Sequence, residues 1–436
     1  MTFNKHSLYS MALGLTLGLI SSNASADPVD DFIYQRLRVF GIGKYETLPV
    51  NNAPDYQARI ELGRKLFMDP NLSGNKNISC LTCHTPMTGL SDGRALSQTE
   101  DGQRVLRRNA NSLYNVGDPQ NKFMFWDGRV HYSPAKKIFT TPEPAFNGEN
   151  PVAKEITSVM QSALSAQSIF PIVNSDEMRG RRGDNEIANA KTDLEAWDLI
   201  VKRLTNDKNS KYIDLFKRAY PTVEKVNIGH VGEAMGVFMR ESFQSNGSPF
   251  NRYAAGDTTA LNAQQKRGLQ VFMSSNCIAC HSGPTLGNNS FFASVGVPFY
   301  GAKPFAQDKG RAEVTNEKFR TYFFKTPSLI NVGLSAPYMH NGAFKTLRDV
   351  INHYNDIETS ITTFDIGNRR NEFPVEVEVL NSPADLGALR ASIQAGFLLS
   401  GLELGTRSLD DLEAFLKEGL TDPKWDPKNF NGASPF

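Results

Sequence analysis

The sequence predicts a mainly α-helical protein with long irregular loops, built from two copies of one small domain. Segments with apolar residues at helical spacing recur along the chain, and long alternating runs typical of strands do not appear. The 34 glycines and 23 prolines are scattered between those segments, as expected for irregular connections. A degenerate internal repeat places the same motifs in the same order in both halves of the 436 residues.

Each copy of the repeat begins with a predicted helix that starts at a glycine, Gly63 in the first copy and Gly268 in the second. A cysteine-containing motif follows, then an S-L-x-N-V-G turn, then an aromatic corner that ends in glycine. The turns lie at 112–117 and 328–333, and the corners at 125–128 and 338–342. Two copies of a small domain explain this order better than one large fold.

We therefore expect domains at 27–245 and 246–436, with an insertion-like stretch at 130–164 inside the first. That stretch is polar and contains proline, which fits either a surface loop or part of a docking face for a partner.

Three further segments have helical texture. Apolar residues at helical spacing predict helices within 193–220 and 228–243, and an amphipathic helix near the C-terminus at 409–420.

All four cysteines lie in two C-x-x-C-H motifs, the attachment signature of a c-type haem. They are Cys80 and Cys83, followed by His84, and Cys277 and Cys280, followed by His281. The thiols bond the haem vinyl groups, and the histidine becomes the proximal iron ligand. A disulfide, a thioredoxin-type pair or half a zinc ribbon would not need a histidine at that position, and the chain has only seven histidines. The motifs thus predict two covalently bound haem c groups in two cytochrome c-like domains.

Composition excludes some partners and indicates export. Net charge is +1 and hydrophobic content is 40%, which fits a globular protein and not a binder of nucleic acid or anionic membranes. Residues 1–26 are predicted to be a secretory signal, with Lys5, an apolar run at 11–20 and a small-x-small cleavage site at 24–26. That run is too short to span a membrane, so we expect an exported protein, in the periplasm or at the outer surface. The sequence leaves the oligomeric state open, a homodimer included.

The chain resembles the bacterial dihaem cytochrome c peroxidase superfamily, which includes the MauG-type enzymes that mature methylamine dehydrogenase. The resemblance runs from about residue 56 to the C-terminus and rests on many motifs in the same order. Besides the haem motifs, these are R-N-A at 108–110, F-W-D-G-R at 125–129, Gln167 to Met178, S-P-F-N-R-Y at 248–253 and P-Y-M-H-N-G at 337–342.

The resemblance implies that the N-terminal haem reacts with peroxide and that Glu177 moves a proton between the peroxide oxygens. Gln167 and Pro171 would shape the pocket around it. These three residues match the family pattern only if the stretch at 130–164 is treated as an insertion. Glu143 is a nearer alternative, although it lacks the Gln and Pro partners, and Glu177 could otherwise be an ordinary surface carboxylate.

Three more roles follow from the resemblance. Trp126 would lie between the two haems and pass electrons, the alternative being an ordinary core tryptophan. His340 would pack against a haem edge or propionate. Asn109 would be a calcium ligand, together with backbone carbonyls around Thr326 and Pro327, although an Asn in a turn needs no metal.

The sixth iron positions separate subtypes of the superfamily. No histidine lies between His84 and His131, so we expect the N-terminal haem to be five-coordinate and ready as isolated. Met339 is the last methionine and lies inside the aromatic corner, so the usual methionine ligand of the second haem is missing. Tyr354 stands where MauG-type enzymes use a tyrosine, with His353 as the alternative ligand. A phenolate would lower the haem potential.

One departure concerns the second haem. Ile330 stands where the family usually has an arginine, so the family's pairing of that arginine with a haem propionate is not expected here.

Three functions are compatible with these residues. The first is a peroxidase that reduces hydrogen peroxide with electrons from a small cytochrome c or cupredoxin. The second is a MauG-type oxidase that uses peroxide to oxidise residues of a partner protein, which Tyr354 and the missing distal histidine favour. The third is a dihaem electron carrier, which Glu177 and an open iron disfavour.

Overall fold

The computed structural model describes residues 28–431 except 43–44, 46–47, 50, 207–210, 289 and 396–400, so the predicted signal at 1–26 lies outside the described residues. The described chain is mainly α-helical with a few short strands, as predicted. The helices are α1 (Pro28–Val39), α2 (Pro54–Phe67), α3 (Cys80–Cys83), α4 (Lys154–Thr157), α5 (Ala163–Gln167), α6 (Phe170–Val173), α7 (Asp193–Thr205), α8 (Lys211–Ala219), α9 (Ile228–Ser242), α10 (Pro249–Ala254), α11 (Ala263–Ser274), α12 (Cys277–Cys280), α13 (Arg311–Thr315), α14 (Leu347–Asn355), α15 (Ile357–Thr363), α16 (Pro383–Ala395) and α17 (Thr406–Ala414). Among the described residues, no helix is both long and apolar enough to cross a membrane.

Short antiparallel strands fasten the loops together. The strands are β1 (Phe123–Met124), β2 (Val130–Ser133), β3 (Ile138–Thr140), β4 (Phe292–Ala293), β5 (Phe299–Ala302), β6 (Phe324–Lys325) and β7 (Val377–Leu380). They form one sheet in the order β1-β2-β3 and two pairs, β4-β6 and β5-β7. In the β4-β6 pair, Phe292 lies opposite Lys325 and Ala293 opposite Phe324. None of these strands exceeds four residues, so the helices provide most of the regular structure.

The repeated glycine marks the closest helix crossing in each half. Helix α2 packs against α9, and α11 packs against α17. A Cβ placed on Gly63 would lie 2.0 Å from the carbonyl oxygen of Ala234, and a Cβ on Gly268 would lie 2.0 Å from that of Asp411. Only glycine allows two helix backbones to approach this closely. The sequence repeat therefore corresponds to a repeated helix crossing.

The other predicted helices form with adjusted ends. The segment 193–220 contains two helices, α7 and α8, and the segment 228–243 forms α9 with one residue less at its C-terminus. The C-terminal helix begins earlier than predicted, at Thr406, and its last turn, Phe415–Gly419, is a π-helix.

Apolar side chains pack into two main clusters. The first draws its members from residues 58–243 together with Trp425, and the second from residues 33–42 and 250–420. Ile33 and Leu37 of α1 belong to the second cluster. The N-terminal helix thus packs with the second half of the chain, although the sequence assigns it to the first.

The stretch at 130–164 is not a surface loop. Val130 and Phe146 are fully buried in the first cluster, and Phe139 is 2% exposed. The segment forms β2, β3 and α4 and enters α5. A surface loop does not describe these buried residues, whereas a docking face on the exposed part of the segment remains a prediction.

The repeated asparagines of the two S-L-x-N-V-G turns meet at one serine. The amide of Asn115 accepts a hydrogen bond from the Ser245 backbone N–H (2.8 Å) and donates one to the Ser245 carbonyl (3.0 Å). The amide of Asn331 donates to the Ser245 hydroxyl and accepts from the backbone N–H of Asp422, both at 2.8 Å. Both asparagines have positive φ, +53° and +61°, which Asn tolerates better than most residues. Equivalent turns of the repeat thus share one buried contact.

Replacement of Gly63 by alanine should destabilise the protein by about 1–3 kcal/mol, because the new methyl group overlaps the α9 backbone. Gly387→Ala is the matched control, since Gly387 lies inside α16 and a Cβ added there would meet no atom within 4 Å. Alanine there should stabilise the helix by about 0.5–1 kcal/mol. Thermal unfolding of the haem-loaded proteins measures both changes, and equal melting temperatures for the two variants would contradict the close crossing.

Candidate active site

Both cysteine motifs fold into the same local structure. Each forms a single helical turn, α3 or α12, and the histidine follows as its C-cap. Nδ1 of His84 lies 2.9 Å from the carbonyl oxygen of Leu90, and Nδ1 of His281 lies 3.1 Å from that of Leu286. Such a bond fixes the ring orientation and leaves Nε2 as the nitrogen for a metal. Each motif therefore presents an oriented imidazole.

The charge states suit haem attachment and iron ligation. Burial lowers the pKa of His84 and lowers the pKa of His281 to about 4, so both rings are neutral as ligation requires. No disulfide joins the cysteines. Cys80 packs against the first hydrophobic cluster and Cys277 against the second, so the four thiols do not meet in one zinc site. The residues of both motifs fit a covalently bound haem.

A cavity of about 290 Å³ lies beside the second motif. Cys277, Cys280 and His281 form part of its wall, opposite apolar residues such as Ile351 and Leu412. An apolar cavity bordered by two thiols and a neutral imidazole is the environment that a c-type haem requires.

Tyr354 and His353 have different environments, although they are adjacent. Tyr354 lies on the cavity wall. Burial, together with the neighbouring cysteines, raises its pKa, so a metal cation would have to supply the charge that stabilises a phenolate. His353 is 1% exposed, and its nitrogens lie 2.9 Å from the Ser360 hydroxyl and 2.7 Å from the Val295 carbonyl. Both nitrogens of His353 are thus occupied, so we expect Tyr354 and not His353 to ligate the iron.

Glu177 lies near the first motif in an enclosed place. Its side chain keeps some accessible surface, but its carboxyl is surrounded by protein, and this burial raises its pKa above the usual value. Arg129 and a 2.8 Å hydrogen bond from the Asn174 amide partly oppose that rise. The charge of Glu177 in turn helps to raise the pKa of the Cys83 thiol. Glu177 is thus a carboxyl close to the first haem attachment site that holds its proton more tightly than an ordinary glutamate.

Pro171 shapes the chain around Glu177, and Gln167 has an unpartnered side-chain oxygen. The carbonyl of Pro171 accepts hydrogen bonds from the backbone N–H groups of Asn174 and Met178, which folds the chain back at Glu177. The side-chain oxygen of Gln167 is buried and has no hydrogen-bond partner among the described residues. A buried acceptor without a partner is costly, so a ligand or a water molecule is expected at this oxygen.

Two other interpretations were open: Glu143 could be the acid–base residue, or Glu177 could be a surface carboxylate paired with nearby arginines. Glu143 caps the short helical turn Pro144–Phe146, accepting a 2.8 Å hydrogen bond from the backbone N–H of Ala145. Of the arginines near Glu177 in sequence, Arg179 pairs with Asp193 and Arg181 with Asp101. Glu143 therefore serves its own turn, and these two arginines do not neutralise Glu177.

Trp126 contacts both halves of the chain. Its indole N–H donates to the Asn109 carbonyl (2.9 Å), and its own carbonyl accepts from the backbone N–H of Lys325 (2.8 Å). Its side chain borders the cavity of the second motif. The preceding residue, Phe125, lies 3.6 Å beneath the guanidinium of Arg129, which acts electrostatically on Glu177. The F-W-D-G-R motif thus extends from the second cavity to the surroundings of Glu177.

A buried ion cluster lies next to Trp126, and the sequence did not predict it. Arg108 makes 2.5 Å ion pairs with Asp127 and with Asp308, whose side chains are 3% and 4% exposed. Both Asp pKa values are lowered by the arginine despite burial. Arg108 and Asp127 fall within motifs already singled out, but Asp308 has no local signal, since its partners are about 200 residues away.

His340 and Asn109 border the same cavity. The His340 ring stacks on Phe324 with centroids 3.6 Å apart, and burial lowers its pKa to about 3. The Asn109 amide nitrogen donates to the Arg94 carbonyl at 2.6 Å, which leaves the amide oxygen for a cation. The described residues contain no group of three or more acidic, His or Cys side chains that could hold a metal. Calcium at Asn109 therefore remains a prediction.

These features define a protein with two c-type haem sites, one of them beside an enclosed carboxyl. The family model for di-haem cytochrome c peroxidase matches residues 57–259. Cytochrome c551 peroxidase of Pseudomonas aeruginosa is 31% identical over 340 residues, 77% of this chain and 82% of that protein. Methylamine utilization protein MauG of Methylorubrum extorquens is 30% identical over 301 residues, 68% of each chain. The chain belongs to the di-haem cytochrome c peroxidase family, whose members carry two haem c groups and act on peroxide as oxidoreductases.

Solved structures show the same fold. A MauG-like protein associated with microbial copper homeostasis superposes with a TM-score of 0.60 at 24% identity, covering 88% of this chain and 96% of that one. The diheme peroxidase BthA from Burkholderia thailandensis superposes with a TM-score of 0.59 at 20% identity, covering 88% and 92%.

Tyr354→Phe should change the absorption spectrum of the second haem, because the phenol oxygen is the only difference and phenylalanine cannot ligate iron. His353→Gln should leave that spectrum unchanged, since the histidine nitrogens already bond Ser360 and Val295. Absorption and electron paramagnetic resonance spectra of the oxidised proteins measure both effects. The reverse pattern, a change with His353→Gln alone, would make the histidine the ligand.

Proposed function

We propose that this chain is an exported periplasmic peroxidase with two cytochrome c-like domains, at 27–245 and 246–436. It reduces hydrogen peroxide at the first haem with electrons that a small cytochrome c or cupredoxin delivers through the second. The two hydrophobic clusters and the repeated helix crossing support the division into domains, apart from α1, which packs with the second.

The observation that carries the proposal is the enclosed Glu177 carboxyl beside the first haem motif. When bound, the haem held by Cys80, Cys83 and His84 supplies the iron that accepts peroxide, and the haem held by Cys277, Cys280 and His281 supplies electrons. A carrier of electrons alone has no use for a shielded proton acceptor at an open iron.

Glu177 moves the proton that peroxide cleavage requires. Its carboxylate takes a proton from one peroxide oxygen and returns it to the other, and with two electrons and two protons from outside the O–O bond breaks to give two waters. Its raised pKa brings it closer to neutral pH, where such a group both accepts and releases a proton efficiently. The unpartnered oxygen of Gln167 accepts a hydrogen bond from the bound peroxide or from water, and Pro171 holds the turn that presents Glu177.

Trp126 connects the two sites. The bonds at its indole N–H and its carbonyl hold it between Asn109 and Lys325, and its ring borders the second cavity. We assign it the transfer of electrons between the haems, because a fixed aromatic ring shortens the distance between successive transfer steps.

Tyr354 favours a second candidate, a MauG-type oxidase. Its side chain lies on the wall of the second cavity, where a phenolate ligand would lower the potential of that haem. The two electrons that peroxide accepts would then come from residues of a partner protein, which become oxidised. Similarity to MauG of Methylorubrum extorquens agrees with this candidate.

Calcium at Asn109 and a homodimer stay predictions. Metal analysis before and after dialysis against a chelator measures bound calcium. Analytical ultracentrifugation measures the oligomeric state.

The protein as isolated, with both irons ferric, should react with one equivalent of hydrogen peroxide within seconds. No histidine between His84 and His131 is available to block the first iron. The measurement is stopped-flow absorption, followed by turnover with a reduced small cytochrome c. Rapid turnover supports the peroxidase; a fast first reaction with slow turnover, and electrons drawn from added protein, supports the MauG-type oxidase. No reaction until one haem is reduced would contradict an open iron.

Glu177→Gln should slow the reaction with peroxide by about a hundredfold or more, because the amide cannot accept the proton. Glu143→Gln is the matched control and should react at the wild-type rate. The wild-type rate should fall as the pH decreases through a pKa above that of an ordinary glutamate, since protonation removes the acceptor. Stopped-flow rates across pH measure this, and a Glu177→Gln protein with unchanged rates would remove Glu177 from the mechanism.

A further inference from the structure

Lys325 brings a positive charge to the cavity of the second haem. The residue ends β6, and its side chain borders the cavity together with Cys280 and His281. Its ammonium makes no ion pair or hydrogen bond within the part of the chain that the structure describes. Burial alone lowers its pKa, and no acidic side chain opposes that shift. The ammonium therefore lacks the anion that an enclosed cation normally has.

Tyr114 adds a second unused donor to the same wall. The residue is 4% exposed, and its hydroxyl is buried with no hydrogen-bond partner among the described residues. Its ring is fixed edge-on against Trp425, with centroids 5.1 Å apart. A rigid phenol and an ammonium that border one cavity are both hydrogen-bond donors suited to a carboxylate.

Ile330 borders the same cavity and is 3% exposed. An isoleucine offers no charge to the carboxylates of a haem. Of the described residues that border this cavity, Lys325 is the only lysine or arginine, and Tyr114 has a buried hydroxyl without a hydrogen-bond partner.

We propose that Lys325 and Tyr114 bind the propionate carboxylates of the haem attached through Cys277 and Cys280. This inference rests on the second haem of the proposed function but not on its peroxide chemistry. The inference and the proposed peroxidase activity can therefore fail independently. Because the backbone N–H of Lys325 donates to the carbonyl of Trp126 (2.8 Å), Lys325 would also connect a bound propionate to the segment that carries Trp126.

The ammonium should raise the reduction potential of the second haem, since reduction adds a negative charge near a fixed positive one. Lys325→Gln should therefore shift the ratio of ferric to ferrous second haem about tenfold towards ferric at a fixed electrode potential, which is 59 mV for one electron. Lys325→Arg should keep the wild-type ratio. Tyr114→Phe should leave the charge in place but alter the propionate-bending band in resonance Raman spectra.

Lys303→Gln is the control, because Lys303 is 70% exposed and pairs with Glu378 at the surface. Spectroelectrochemical titration without peroxide gives the ratios, and haem content per chain shows whether each variant is loaded. Loss of the second haem in Lys325→Gln with full loading in Lys325→Arg would also support the pairing. The proposal is overturned if Lys325→Gln matches Lys303→Gln in both the titration and the Raman band, or if Lys325→Arg loses the haem as Lys325→Gln does.

Discussion

The ion pairs of Arg108 with Asp127 and Asp308 form the central constraint of this structure. Three charges removed from water are costly, and they persist only because each is matched at short range. Asp127 directly follows Trp126 in the chain, and Asp308 comes from the other half. Loss of one partner would leave an uncompensated buried charge beside the tryptophan, typically a cost of about 3–5 kcal/mol. The position of Trp126 on the wall of the second cavity therefore depends on electrostatics that no local motif reveals.

Local signals predicted the parts of the fold that local forces determine. Apolar periodicity predicted α9 to within one residue of its end, and it placed helices at α2 and α11 ahead of the two haem motifs. The C-x-x-C-H motifs predicted two matching sites, and both form the same turn with an oriented histidine. The partner of α1 could not be predicted in this way, because its buried face gives no indication of which half covers it. The apolar residues at 130–164 were overlooked for a related reason, since they are buried singly by distant residues and not as a periodic face.

In the candidate site too, some features could be predicted from the sequence and others could not. Helical geometry explains why Tyr354 borders the cavity while His353 does not, because adjacent residues of α14 point about 100° apart around the axis. Sequence could not choose between them, since the order of residues does not reveal the direction of the cavity. The sequence also did not reveal that Glu143 caps its own helical turn, which favours Glu177 over Glu143. Lys325 had no signal at all, because a lysine reveals its role only when its surroundings are known.

The shared contact of Asn115 and Asn331 at Ser245 has an evolutionary consequence. A duplicated gene first yields two units that could part again, but here the matching turns of both units satisfy their polar groups on one serine and on Asp422. A chain cut directly after Ser245 would separate the Ser245 hydroxyl from the Asn331 amide and the Asp422 carboxylate. Asn115 would keep its two bonds to the Ser245 backbone. Excision of one half at this junction therefore removes partners of buried polar groups, and insertions or circular permutations should be tolerated better away from this serine.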